Sequence, residues 1–354
     1  MKTLSKVSFL ILGIIFCLSG YAQQPRMTNA QVTSRSAAAG LEREFRALVA
    51  GQAAAAWVGY AVPIIPGEHN MCCSDGCCGG CRLEERGSGS VGSSVNSTVR
   101  LEGGGNLFVL FRVEQGQVQK IRTFSQDCEL DAGGLPFFWL NDVRPPESVA
   151  LLASYAKPQS EEKAEKKLGD SAVAAIAFHK DPSADRVLEQ FTASSQPESL
   201  RERVSFWLGV ARGRPGYEIL RRMIKEDPSE RVREKVIFAL SQSKEPEALN
   251  AMIETARGDS SAHVRGQALF WLAQKAGKKA EEAITAAIEN DPETDVKKKA
   301  VFALSQLPKD EGVPKLIQVA KTNKNPAVRK QAMFWLGQSK DSRALAFFEE
   351  ILSR

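Results

Sequence analysis

The chain is poor in the residues on which acid–base enzymes depend. It holds 3 His in 354 residues. No Gly-x-Ser-x-Gly, His-Glu-x-x-His, P-loop or Rossmann fingerprint occurs anywhere in it. Beyond the first 22 residues no apolar run is long enough to cross a bilayer, so no integral membrane segment is expected in the mature chain. No cysteine follows Cys128, which confines thiol chemistry to the N-terminal part. Net charge is small as well. The formal +5 includes Lys2 and Lys6, and without those two it is +3. That is too little to argue for a nucleic-acid partner.

What is present begins with an address. Lys2 and Lys6 precede an apolar run from Val7 to Leu18, and Gly20-Tyr21-Ala22 places small residues at −3 and −1 of a cleavage site. Residues 1–22 therefore read as a signal peptide, and the protein as exported, periplasmic or extracellular. Phe16 before Cys17 argues against lipidation.

Residues 23–36 are polar and read as a flexible leader. Residues 37–143 read as a small α+β domain. An amphipathic helix is expected from Ala37 to Ala56, with Leu41, Phe45, Leu48 and Val49 on one face. An extended stretch follows from Trp57 to Ile65. Leu107 to Val113 and Gln117 to Phe124 form an antiparallel hairpin around Gln115-Gly116, and Phe137 to Leu140 is one further strand.

Within this domain Cys72, Cys73, Cys77, Cys78 and Cys81 fall inside ten residues, and Cys128 stands apart. Six cysteines in an exported chain favour disulfides, with Cys128 tying the loop to the sheet. The alternative is a thiolate zinc site on Cys77, Cys78 and Cys81 with His69, and Asp75 as a further ligand. Redox exchange is a third reading. Asp127, Glu129 and Asp131 beside a Gly-Gly turn raise calcium, but the EF-hand spacing is absent and a solvated turn is the simpler account.

Pro145-Pro146 opens the helical part, with residues 144–164 as a capping helix and linker. From residue 165 to 354 the chain repeats itself. Phe206, Phe238, Phe270, Phe302 and Phe334 recur at an interval of 32 residues, each inside a Phe-Trp-Leu or Phe-Ala-Leu phrase. A fixed period of that length marks a stacked array. Each unit reads as two helices. In the first, Val232, Val236, Ala239 and Leu240 make one buried stripe. Val264, Ala268, Trp271 and Leu272, then Val328, Ala332, Trp335 and Leu336, repeat it. A degenerate unit at residues 168–190 carries Ala174-Ala175-Ile176 in place of the Phe phrase.

An acid or amide precedes Val-Arg or Val-Lys once per unit: Asp227…Val232-Arg233, Asp259…Val264-Arg265, Asp291…Val296-Lys297 and Asn323…Val328-Arg329. On these residues the chain resembles bacterial HEAT-repeat proteins, with repeats similar to those of phycobilisome lyases. The resemblance implies an α-solenoid with a scaffolding or binding role. A metal hydroxylase of this fold uses His-Glu pairs, but neither His179 nor His263 is followed by Glu. No catalytic role carries over, and no cofactor is expected.

On a helical wheel each Phe points away from the buried stripe. The five rings are therefore candidate binding residues, an aromatic ladder for a protein or peptide partner. The competing expectation is that neighbouring indoles cover them. An Asp six residues before Arg, once per repeat, is expected to link adjacent turns through charge-assisted hydrogen bonds; Gln242, Gln274, Gln306 and Gln338 also recur every 32 residues, and together these read as a ladder of hydrogen bonds between repeats. The leading reading is a non-enzymatic exported scaffold that binds a partner in the cell envelope. Its rival places metal or thiol chemistry in the Cys72–Cys81 loop, with the solenoid recruiting substrate. A third makes the solenoid a spacer.

Overall fold

The structure is a computed structural model that describes residues 24–67, 81–84, 105–156, 162–275 and 277–353. In the N-terminal part the strands are β1 (Arg26–Thr28), β2 (Gln31–Ser36), β3 (Ala56–Pro63), β4 (Cys81–Arg82), β5 (Asn106–Glu114), β6 (Gln117–Ser125), β7 (Glu129–Asp131) and β8 (Pro136–Asn141). Helix α1 (Leu41–Ala50) lies between β2 and β3. The main sheet has the order β2-β8-β3-β5-β6, and a smaller one the order β1-β7-β4.

The sheet is mixed rather than antiparallel as expected: β8 pairs in parallel with both β2 and β3. The supposed flexible leader is also corrected, because residues 26–36 supply β1 and β2. Every side chain of β2 is exposed, so this edge strand is held by backbone pairing and carries no hydrophobic alternation that sequence could reveal. Helix α1 is shorter than the expected 37–56. Gly40 at φ 126° precedes it and Gly51 closes it, while Leu41, Phe45, Leu48 and Val49 form its buried face.

Strands β3 and β5 are apolar on both faces because both faces are covered. Val58, Tyr60, Val62, Val109 and Phe111 face the helices. Trp57, Ala61, Phe108 and Leu110 face the small sheet, packed with Leu83, Leu130, Phe137 and Trp139.

Thirteen further helices follow among the described residues: α2 (Pro145–Ala156), α3 (Lys163–Phe178), α4 (Pro182–Phe191), α5 (Glu198–Ala211), α6 (Gly213–Glu226), α7 (Glu230–Gln242), α8 (Glu247–Gly258), α9 (Ala262–Lys275), α10 (Lys278–Asn290), α11 (Thr294–Ser305), α12 (Lys309–Thr322), α13 (Pro326–Gln338) and α14 (Ser342–Leu352). They stack in pairs. The first helices of the repeats (α5, α7, α9, α11, α13) lie closer together than the second helices. A Cβ on Gly209 would fall 2.2 Å from the Ala239 carbonyl oxygen, so α5 and α7 approach backbone to backbone.

Buried Arg–Asp pairs join successive repeats. The Arg201 guanidinium donates to Asp227 through Nε (2.8 Å) and Nη2 (3.0 Å). Arg233 does the same to Asp259 at 2.8 and 2.9 Å, and Arg265 to Asp291 at 2.7 and 3.0 Å. Each of these Asp residues also accepts the backbone N–H two residues on, from Ser229, Ser261 and Glu293. One carboxylate thus closes its own turn and holds the previous repeat. The next rung is broken. Lys297 stands where Arg recurs and donates to the Glu289 carbonyl at 2.7 Å, and Asn323 stands where Asp recurs.

The sheet and the array share one apolar core, running from Phe45 and Phe111 through α2 and α3 into the repeats. At this joint Ile64 pairs with His179, and the Lys180 N–H donates to the Pro63 carbonyl. Below it Ser148 Oγ lies 2.8 Å from the Tyr60 hydroxyl and 2.8 Å from His179 Nε2, with His179 Nδ1 2.7 Å from the Ala175 carbonyl. A carbonyl only accepts, so Nδ1 carries the ring proton. Neutral Nε2 then accepts from Ser148, whose oxygen accepts from Tyr60. Burial, with the Arg212 charge nearby, holds the imidazole down to about 4 and pushes the Tyr60 phenol up.

A candidate aromatic binding ridge

The five Phe side chains are neither free in solvent nor buried. Phe206, Phe238, Phe270 and Phe302 are half-buried, and Phe334 is 54% exposed. Phe206 stacks on Phe238 at 6.0 Å between centroids, and Phe270 on Phe302 at 6.1 Å. Indoles join these pairs. Trp271 lies 4.8 Å from Phe238 and 5.0 Å edge-on to Phe270, and Trp335 lies 4.9 Å from Phe302 and 5.0 Å from Phe334. Trp207 joins Phe206 at 5.0 Å to Phe178 at 5.5 Å. The rings are therefore packed on each other and on the indoles yet keep an open edge.

Trp271 and Trp335 pack against the core, where the helical wheel placed them, but stay half-buried and also join this ridge. Ala239 and Ala303 take the same position in the alternate repeats and are fully buried. The small residue keeps the stripe intact in those repeats, while the indole of the next repeat bends back over the preceding Phe. Sequence reading missed Phe178. It lies four residues after Ala174, so it presents a ring on the same helix face one turn later.

One turn beyond each ring of the last four repeats stands a glutamine. Gln242, Gln274, Gln306 and Gln338 are exposed. The amides of Gln242 and Gln306 donate to their own helix neighbours Ser241 and Ser305 at 2.9 and 3.1 Å. The expected ladder between repeats is carried by the Arg–Asp pairs, each Arg reaching the Asp of the next repeat rather than the one six residues before it, while Gln242 and Gln306 bond within their own helices. Between α11, α12 and α13 a cavity of about 250 Å³ opens beside the ridge, lined by Gln306, Lys309, Trp335 and Gln338 among others. Trp335 Nε1 is buried and has no hydrogen-bond acceptor.

The cysteine loop stands apart from this ridge in sequence. Cys72, Cys73, Cys77 and Cys78 lie outside the described residues, as do His69 and Asp75. Of Cys81 the backbone is described, in β4, in register with Leu130. Cys128 is 2% exposed and disulfide-bonded. Among the described residues no three of His, Cys, Asp and Glu gather as a metal site. Asp131 Oδ1 accepts the Gly133 N–H at 2.8 Å, as a turn carboxylate does.

Residues 186–273 and 281–354 match the HEAT-repeat family. This part of the chain is a HEAT-repeat array, an α-solenoid preceded by a small α+β region. Solved structures to which the chain is similar include phycocyanin lyase, the CpcE–CpcF complex from Nostoc, at 24% identity over 44% of this chain and 99% of that one, with a TM-score of 0.33. Human deoxyhypusine hydroxylase in complex with glycerol is 16% identical over 58% of this chain and 90% of that one, with a TM-score of 0.26. Kap95p, solved bound to RanGDP, is 16% identical over 54% of this chain and 30% of that one, with a TM-score of 0.36. None of these likenesses carries an argument about what this chain does. No curated protein matches it in sequence.

Proposed function

We propose that this protein is an exported, non-enzymatic scaffold whose HEAT array holds a protein or peptide partner in the cell envelope. The observation that carries the reading is the continuous ridge from Phe178 to Phe334, with half-exposed rings on the closer-spaced helix layer. Aromatic side chains anchor interfaces because they bury much area at little conformational cost. An array that needed them for its own stability alone would sink them in the core, as it does Leu208, Leu240, Leu272, Leu304 and Leu336. The N-terminal sheet and its Cys128 disulfide serve as a stabilised cap on the first repeats, without a cofactor.

The test is crosslinking capture from the native envelope with the full chain, followed by identification of what is held. Phe270→Ser and Phe302→Ser should abolish capture of the partner that the wild-type chain holds. Retention of that partner by both variants would end the ridge reading.

A further inference from the structure

The face of α13 and α14 that points away from α11 and α12 is uncovered, and it repeats the joint by which earlier units receive the next one. Leu352 is 84% exposed, whereas Ile288 and Ala320 hold the same place in the two preceding units and are buried. Leu345 is 60% exposed, and Val313 one unit earlier is buried. Met333 and Phe348 are half-buried where Val301 and Leu316 are closed off. Gly337 stands at the place where Gly209 meets the Ala239 backbone, yet a Cβ on Gly337 would meet nothing within 4 Å. A capping repeat turns a polar face outward. This face has an apolar centre and room for the close approach of a helix.

The charged part of the joint is open too. Arg233 and Arg265 donate through Nη1 to carbonyls of their own turn, and through Nε and Nη2 to the Asp of the following unit. Arg329 makes the first half of that pattern, from Nη1 to the Asn323 and Lys324 carbonyls at 2.8 and 3.1 Å. Its Nε and Nη2 have no acceptor among the described residues. The fork is held as in the inner joints and lacks its carboxylate. One residue further on, Glu202 and Glu234 face Arg231 and His263 of the following unit. Lys330 stands at that place and forms no ion pair among the described residues. The sign is reversed there, so an occupant that fits carries an acid opposite it.

We infer that this face docks a helical repeat of another protein, with an aspartate in the turn that opens its first helix and a second acid four residues on. The inner joints at Asp227, Asp259 and Asp291 show the class of occupant, since each is filled by a unit of that kind. A second copy of this chain has no uncovered unit to offer. Helix α2 and strand β6 pack on α3, and each later unit packs on the one before it. The inference is independent of the aromatic ridge.

The experiment uses the full chain and a fluorescein-labelled probe, read by anisotropy. The probe is residues 290–354, whose first unit carries Asp291 and Asp295 and whose own end is blocked by Gly337→Leu. Binding should weaken at least about tenfold with Asp291→Asn in the probe, or with Arg329→Gln or Gly337→Leu in the full chain. Gly337→Leu builds into open space and should leave the melting temperature unchanged. Lys330→Glu should weaken binding, and Asp295→Lys in the probe should restore it. Binding that ignores Gly337→Leu or Asp291→Asn would overturn the inference. So would a loss caused by Phe270→Ser, which would move the probe to the ridge. Self-association of the full chain that Gly337→Leu abolishes would make the occupant a second copy and end the assignment to another protein. A probe that is helical by circular dichroism and does not bind also overturns it. If the probe is not helical, a copy of residues 291–322 is appended to the full chain after Arg354. That chain should melt higher than its counterpart with Asn at the first residue of the copy, and equal melting would overturn the inference.

Discussion

Replacing Ser148 by alanine removes the hydroxyl that joins Tyr60 to His179, at the seam between sheet and array. All three side chains are buried, so no water replaces it. The Tyr60 O–H and His179 Nε2 each lose their partner, at about 1–3 kcal/mol apiece, and a total of about 2–6 kcal/mol is expected. The same network makes the seam sensitive to acid. His179 is held down to about 4 from 6.5. Above pH 6.5 the ring is neutral both folded and unfolded and contributes no pH dependence. Below it the unfolded chain takes up a proton that the folded chain refuses. Stability then falls by about 1.4 kcal/mol per pH unit, until the folded ring also protonates near pH 4. Protonation would place a second N–H against Ser148 and force the hydroxyl chain to reverse. The assay is urea unfolding of wild type and His179→Gln at pH 7.5 and 4.5. Carboxylates elsewhere act equally on both, so the difference isolates His179. Wild type should lose about 2–3 kcal/mol more than the variant. Equal losses would refute the neutral, buried imidazole and the direction assigned to its hydrogen bonds.

The remaining tests reach the array, the ridge and the cysteine loop. Arg233→Met leaves Asp259 buried without its cation and should cost about 3–5 kcal/mol by chemical denaturation; a loss below about 1 kcal/mol would mean the rung is dispensable. Lys297→Arg together with Asn323→Asp should build the missing rung and raise the melting temperature, whereas either change alone should not. Phe270→Ser removes a half-buried ring and should cost about 1–3 kcal/mol, between the values for a surface and a core position, with loss of partner capture exceeding what melting explains. Reduction of the Cys128 disulfide should open residues 60–130 to protease while the far-ultraviolet helical signal survives; equal resistance with and without reductant would argue that the bridge carries no load.

Much of the array was legible because its signals are local and repeated. The stripe at Val232, Val236, Ala239 and Leu240 needs only helical geometry, and the period converts one such stripe into a stack. The sheet was legible only where a strand carries its own hydrophobic evidence. Strands β3 and β5 do, being covered on both faces, and β2 does not, because its bonds to β8 run through the backbone of exposed Gln31–Ser36. The seam was hidden for a related reason. Val173, Ile176 and Ala177 look like any apolar helix face in sequence, and nothing local says that a strand, β6, packs on α3 beside its neighbouring helices.

The ridge was half legible, and the missing half changes how the array is to be dissected. Helical phase alone put Phe238 outside and Trp271 inside. It cannot show that an indole swings across the joint to meet the ring of the preceding repeat. Once it does, pairs of repeats rather than single ones become the unit of the surface, since Phe–Phe stacks and Trp bridges alternate along it. A fragment beginning at Pro145 exposes the faces of α2 and α3 that lie on the sheet, and it should associate or lose helix. A fragment beginning at Pro197 cuts between stacked pairs, keeps every ring from Phe206 to Phe334 and all three Arg–Asp rungs, and uncovers the sides of α5 and α6 that met α3 and α4. Repeat stability is a sum of local and nearest-neighbour contributions, so the shorter fragment should be the better folded of the two. Circular dichroism and sedimentation of the two fragments decide it. A helical, monomeric 145–354 beside an unfolded 197–354 would show that the sheet is a dispensable ornament and that α2 to α4, not the Phe-bearing repeats, nucleate the array.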